Sequence, residues 1–253
     1  MPIAGRRVAE LGAGFGSIAR ASARAGAAQV FAVDVQGERV EEASRRARVE
    51  GLTVEPVQAN LLSPAADLPQ VDVALLIGVV EYAGLWSLDE PVSLLQRRVF
   101  ETAFQMLAPG GTLVVGTKNR WWPTFAVRDV HTGQPLVNAL PRALANVLSR
   151  RTNGSPYRYH LHSPKGWADL LRAAGFSRVQ CLYPYFSYQF PLLAVKKPTF
   201  ADVGRLRQLD VPPDVAGAVY GRFPRLKAYT MAASAAIGIP VTHGVILTAQ
   251  KPL

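Results

Sequence analysis

Short apolar runs alternating with longer mixed stretches constrain this chain more than any other feature, because repeated strand and helix units around a parallel sheet produce that rhythm. Six runs read as strands: Arg6 to Leu11, Gln29 to Val33, Thr53 to Gln58, Val71 to Ile77, Thr112 to Thr117 and Ser177 to Leu182. A last run, Gly244 to Lys251, makes a seventh. Helical patterns fall around Ser17 to Ala25, Gly37 to Glu50, Pro91 to Leu107 and Pro164 to Ala174. The third of these stops at Pro109-Gly110-Gly111 and the fourth at Gly175, residues that end helices. The expectation is one α/β domain over 1–253, with a mostly parallel seven-stranded sheet and helices on both faces. With 49% hydrophobic content over 253 residues, the chain can fill such a core.

Two stretches, 118–163 and 184–243, break the rhythm. Both exceed the connections usual in compact α/β units and are rich in aromatic, proline and arginine residues. They are expected as insertions on the substrate side, forming a lid over a site that must exclude water. Ala228 to Gln250 carries no Asp, Glu, Lys or Arg and is long enough for a membrane span. Gly238, Pro240, His243 and Gly244 interrupt it, so it is predicted as a helix followed by a buried strand.

Charge divides unevenly. Residues 1–117 hold 10 basic and 13 acidic side chains, whereas residues 118–253 hold 18 and 5. A positive field confined to the later part predicts an anionic partner there. The lone Cys181 has no internal disulfide partner, and no Cys/His group has zinc spacing. No metal is therefore expected. With no room for a secretory hydrophobic region before the first strand, the expected compartment is the cytoplasm.

The sharpest motif is Ala9 to Ser17, AELGAGFGS, where a strand ends and a helix begins. Gly12, Gly14 and Gly16 give a GxGxG spacing, which differs from the GxGxxG of dinucleotide-binding loops. Glu10 just before the loop would repel a pyrophosphate but can attract an ammonium group. That favours a cationic nucleoside ligand. Eighteen residues beyond Gly16, Asp34 ends the second strand, where a carboxylate can accept hydrogen bonds from ribose hydroxyls.

Glu10-Leu11-Gly12-Ala13-Gly14-Phe15-Gly16 with Asp34 resembles the first two motifs of class I S-adenosylmethionine-dependent methyltransferases. Ala59-Asn60-Leu61, Leu76 to Tyr82 and Ala108-Pro109-Gly110-Gly111 are similar to later segments of that family, in the same order. The resemblance implies a Rossmann-like methyltransferase fold with S-adenosylmethionine as cofactor. It further implies that Gly12, Gly14 and Gly16 admit the cofactor, Glu10 faces its amino group directly or through water, and Asp34 holds the ribose. By the same resemblance Asn60 and Leu61 read and pack the adenine, while Gly78 and Val79 flank the methionine part. Only about five residues precede the first strand, so the inserted segments are expected to supply the cover that many members build from earlier helices.

Methyl transfer from a sulfonium needs alignment first, and a base only where the acceptor must lose a proton. If Arg128 to Gly133 is extended, Asp129 and His131 share a face and the carboxylate can orient the imidazole as general base. His160 and His162 repeat that spacing. Glu81, Tyr82, Arg120 and Trp121 complete the candidate substrate residues. Lys118-Asn119-Arg120 with Asp129, His131, Thr132 and Gly133 resembles a segment of methyltransferases acting on polysaccharide and lipid-linked saccharides. This leads to a small or lipid- or nucleotide-linked anionic acceptor, methylated at oxygen. One alternative is an RNA methyltransferase using the basic part of the chain, although Gly78 to Tyr82 lacks the Asn/Asp-Pro-Pro-aromatic run of base-amino enzymes. A second is a membrane-peripheral or non-catalytic cofactor-binding module, suggested by the apolar and arginine mixture of Leu136 to Arg151.

Overall fold

A computed structural model describes residues 2–63, 68–185, 187–189, 191, 193–206, 224–236 and 241–253. In chain order the elements are β1 (Arg7–Leu11), α1 (Ser17–Arg24), β2 (Gln29–Asp34), α2 (Gly37–Val49), β3 (Glu55–Gln58) and β4 (Val71–Ile77). A 3-10 turn, Val80–Trp86, leads to α3 (Val92–Met106) and β5 (Leu107–Lys118). Then come α4 (Pro123–Val127), α5 (Arg142–Asn153), α6 (Pro164–Ala173), β6 (Ser177–Pro184), β7 (Ala194–Val195), α7 (Phe200–Leu206), α8 (Pro224–Ala236) and β8 (Gly244–Gln250). The sheet order is β3-β2-β1-β4-β5-β8-β6-β7. β1 pairs in parallel with β2 and β4, and β2 with β3. β6 and β7 pair antiparallel. The mostly parallel Rossmann-like architecture read from the sequence is the observed one.

Two details depart from that reading. The sheet has eight strands, because Ala194–Val195 inside the second long segment pairs with Tyr183 and Pro184. Two residues are too short to leave an alternation. β5 also begins at Leu107, not Thr112, so Pro109-Gly110-Gly111 lies inside the strand. There the tail supplies a ladder: Gly110 N–H donates to the Lys251 carbonyl and Lys251 N–H to Gly111, at 3.1 and 3.0 Å.

The described chain forms two compact units. Unit 1 comprises Met1–Val115, Asp169–Val179 and Leu247–Leu253, and unit 2 comprises Gly116–Ala168 and Gln180–Ile246. Unit 2 takes in both long segments; residues 186, 190, 192, 207–223 and 237–240 of the second lie outside those described. In unit 1, four successive positions of β1 and five of β2 are buried, as expected of strands covered on both faces. Val30 and Ala32 of β2 pack with Ala19 of α1 and with Val40, Ala43 and Ala47 of α2. In unit 2, Val137, Ala145 and Tyr157 form one small core and Trp122, Phe125 and Leu161 another. Among the described residues no helix is long and apolar enough to cross a membrane.

Candidate functional site

β1 ends at Leu11 and the chain turns through three left-handed glycines, with φ of 70° at Gly12, 51° at Gly14 and 68° at Gly16. Their neighbourhoods differ. A Cβ on Gly12 would lie 2.5 Å from a Val79 methyl, and one on Gly16 would lie 2.6 Å from the Ala43 methyl. One on Gly14 would meet nothing within 4 Å. Gly12 and Gly16 are thus demanded by the protein's own packing, while Gly14 leaves bare backbone facing open space.

The carboxylate of Asp34 faces the same loop. Its Oδ2 accepts the Gly14 N–H at 2.9 Å, and its Oδ1 accepts the Gln36 N–H at 3.0 Å. The register of β2 beside β1 pairs Leu11 with Val33, which sets Asp34 level with Gly12 at the start of the glycine turn.

Glu10 is buried, and its Oε2 accepts the Ala19 N–H at 2.6 Å. Gly16 caps α1 without a side chain, so this carboxylate satisfies orphan donors of the helix N-terminus from the neighbouring strand. Burial pushes its pKa up to about 7, against the pull of the Ala19 and Ile18 N–H groups and of Arg20.

A pocket of about 330 Å³ opens beside these groups in unit 1. Gly12, Asp34, Asn60, Leu61, Gly78 and Val79 line it, so six of the nine residues expected around the cofactor meet at one cavity. The other three, Glu10, Gly14 and Gly16, do not line it. Asn60 Oδ1 accepts the Leu62 N–H at 2.9 Å, which orients the side-chain amide. Tyr82 also lines the pocket, whereas the neighbouring Glu81 is fully buried and does not. Arg39 and Trp86 are pocket residues that motif reading passed over. Trp86 follows Tyr82 by four residues and is 56% exposed, an aromatic left in water at a cavity mouth.

Unit 2 holds the other candidates. Asp129 and His131 do not form the extended pair expected. Gly133 N–H donates to the Asp129 carbonyl at 2.9 Å, closing a turn. Asp129 Oδ2 accepts the backbone N–H groups of His131 and Thr132 at 3.0 and 2.6 Å and the Thr132 hydroxyl at 2.8 Å. Its Oδ1 accepts the Tyr157 hydroxyl at 2.7 Å and the Asn138 amide at 3.0 Å. Burial works upward on this carboxyl, but the donors prevail and hold its pKa below the usual range. Asp129 therefore ties the turn together and does not orient the His131 ring, which stacks on Tyr159 with centroids 4.7 Å apart.

His160 and His162 sit in the following segment. Burial, reinforced by Arg142, lowers their pKa values to about 3 and about 4. His160 Nε2 lies 3.1 Å from the Tyr157 carbonyl, so that nitrogen carries the proton. Arg120 donates to the carbonyls of Asn138 and Leu140 at 2.6 and 2.8 Å and lies over the Trp121 ring at 5.1 Å. Trp121 is 48% exposed.

Residues 8–111 match the family model of a methyltransferase domain. The chain is 32% identical over 186 residues to a demethylmenaquinone methyltransferase of Clavibacter sepedonicus, a match covering 71% of this chain and 69% of that protein. Among solved structures it is similar to an S-adenosylmethionine dependent methyltransferase from Mesorhizobium loti, with TM-score 0.55, 19% identity and coverage of 99% and 93% of the two chains. It is also similar to a SAM-dependent methyltransferase from Methanosarcina mazei, with TM-score 0.53, 14% identity and coverage of 98% and 93%.

Proposed function

Because the chain belongs to the class I S-adenosylmethionine-dependent methyltransferases, we propose that it methylates a small or lipid- or nucleotide-linked anionic acceptor at oxygen. The observation that carries the cofactor half is Gly14: bare backbone bonded to the carboxylate of Asp34, which itself lines a pocket whose volume suits one small ligand. S-adenosylmethionine, when bound, supplies a methyl group on an electrophilic sulfonium.

The chain's part is to hold and orient. Asp34 accepts the ribose hydroxyls beside the Gly14 backbone. Asn60 donates its amide N–H to an adenine ring nitrogen, and Leu61 packs on the ring. Gly78 and Val79 flank the methionine part. Glu10, once deprotonated at or above its raised pKa of about 7, adds negative charge near the loop that favours the ammonium group.

The acceptor reading rests on charge. Unit 2 has 15 basic and 4 acidic residues, a net of +11, so unit 1, with 13 and 14, is close to neutral. The relative named for demethylmenaquinone supports a low-molecular-weight or lipid-linked acceptor over RNA. A hydroxyl acceptor must lose a proton, and His131 is the side chain we assign to take it. The very low pKa values of His160 and His162 make them weak bases at neutral pH.

Labelled cofactor incubated with a fractionated lysate should pass label to small molecules or lipids; label confined to RNA overturns the acceptor reading. His131→Ala should reduce turnover by about 10²-fold or more, with cofactor affinity by calorimetry unchanged. Unaltered turnover eliminates this base. Absence of heat with both the cofactor and its demethylated product removes the cofactor assignment.

A further inference from the structure

Unit 2 contains two buried donors without a hydrogen-bond partner, on Asn119 and Arg142. Arg142, at the first position of α5, donates to the Leu161 carbonyl through Nη2, while its Nη1 is buried without a hydrogen-bond partner. Asn119 is fully buried, bridges to His162, and has its Nδ2 likewise unpartnered. Arg120 follows Asn119, and its N–H donates to the His162 carbonyl at 3.1 Å. The Arg142 side chain and the backbone of Asn119 and Arg120 therefore meet at adjacent positions, Leu161 and His162.

Among the described residues no carboxylate bonds them, and the side chains of Arg120 and Arg142 donate to backbone carbonyls. The described acidic residues of unit 2, Asp129 and Asp202, are engaged elsewhere: Asp129 by Tyr157, Asn138, His131 and Thr132, and Asp202 by Thr199 and Arg205. Burial and repulsion from Arg120 lower the Arg142 pKa to about 10. Two guanidinium groups taken partly out of water beside one another destabilise the fold unless an anion joins them. The first turn of α5 carries no acidic residue and adds its own positive end to the cluster.

We propose that Arg120, Arg142 and the Asn119 amide form a binding site for a phosphoryl oxyanion, the Arg142 Nη1 and Asn119 Nδ2 orphan donors being two of its hydrogen-bond partners. A planar guanidinium and an amide N–H match oxygens of a tetrahedral anion. The site deepens the reading above and rests on it for the claim that the acceptor carries negative charge. The phosphoryl group can belong to a soluble diphosphate or to a phospholipid headgroup, since the chemistry is shared.

Calorimetry of the full chain with inorganic pyrophosphate tests it, at matched ionic strength and without cofactor. Binding is expected for the unaltered protein and weakened about tenfold or more in Arg120→Gln and in Arg142→Lys, which keeps the charge but loses the fork. Arg172→Gln, on an exposed Asp169 pair in unit 1, should bind like the parent. Circular dichroism establishes that each variant is folded, and Arg142→Lys stands if Arg120→Gln is not. A parallel arm measures co-sedimentation with phosphatidylglycerol vesicles. Loss of vesicle binding in the same variants assigns the site to lipid headgroups, and loss of pyrophosphate binding alone assigns it to a soluble ligand. Folded variants that bind both probes like the parent, or a parent that binds neither, overturn the site. Cofactor calorimetry on the same samples separates that outcome from failure of the methyltransferase reading, because Gly14 and Asp34 lie in unit 1.

Discussion

Gly16→Ala and Gly14→Ala introduce the same methyl into the same loop two residues apart, and should fail in different ways. Both positions are left-handed, with φ of 68° and 51°, which costs an alanine about 1–2 kcal/mol. At Gly16 the new methyl also falls 2.6 Å from the Ala43 Cβ, well inside ordinary contact. Ala43 is fully buried in α2 and cannot swing away, so overpacking adds about 1–3 kcal/mol. The total, about 2–5 kcal/mol, lowers Tm by roughly 6–15 °C in a protein of this size. At Gly14 the methyl meets no protein atom, leaving only the backbone cost and a fall of roughly 3–6 °C. On the proposed cofactor placement that methyl stands where the ligand approaches the peptide, so cofactor affinity should drop about tenfold or more. Thermal melts and cofactor calorimetry on the two variants read both quantities. Equal losses of Tm, together with parental cofactor affinity in Gly14→Ala, would refute the assignment of that open space to the ligand.

Two further outcomes follow from buried carboxylates. Glu10 has its folded pKa raised to about 7 by burial, so the folded state binds the extra proton and stability falls as pH rises from about 4.5 towards 7. Glu10→Gln, which keeps an oxygen for the α1 donors, should flatten that slope in a series of melts; an unchanged slope removes Glu10 as its source. Asp129 has its pKa lowered, so its contribution is present above the ordinary carboxylate range and is lost as pH falls through the folded value. Asp129→Ala leaves Tyr157 and Asn138 facing a buried void and should cost about 3–5 kcal/mol at neutral pH by denaturant titration. A loss below about 1 kcal/mol would show that the network does not hold the turn.

The fold was largely legible because its signals are local. Strand, turn and helix follow one another within AELGAGFGS, and the parallel order of β1 to β4 needs only short crossovers. Asp34 was readable for the same reason, since a fixed strand and helix length carries it to the end of β2. Unit 2 resisted because its contacts are not local. Asp129 is fixed by Tyr157, 28 positions away, and a spacing of two residues says nothing of that partner. The Asp129 to Gly133 turn defeated an inference that assumed extended backbone. Leu136 adopts φ of 60°, a conformation costly for leucine that no pattern announces, within the segment carrying Asn138. Arg142 was legible only as part of the apolar and arginine mixture of Leu136 to Arg151, because its partner Leu161 lies 19 positions away.

The pairing of β5 with the chain following β8, where Lys251 meets Gly111, bears on synthesis. Lys251 Nζ donates to the Leu107 carbonyl at 2.7 Å, and its backbone completes the ladder at Gly110 and Gly111. Everything between β5 and that tail must leave the ribosome before the ladder can close. A nascent chain that already displays the glycine turn still lacks these bonds, and its exposed edge is a place where a chaperone can engage.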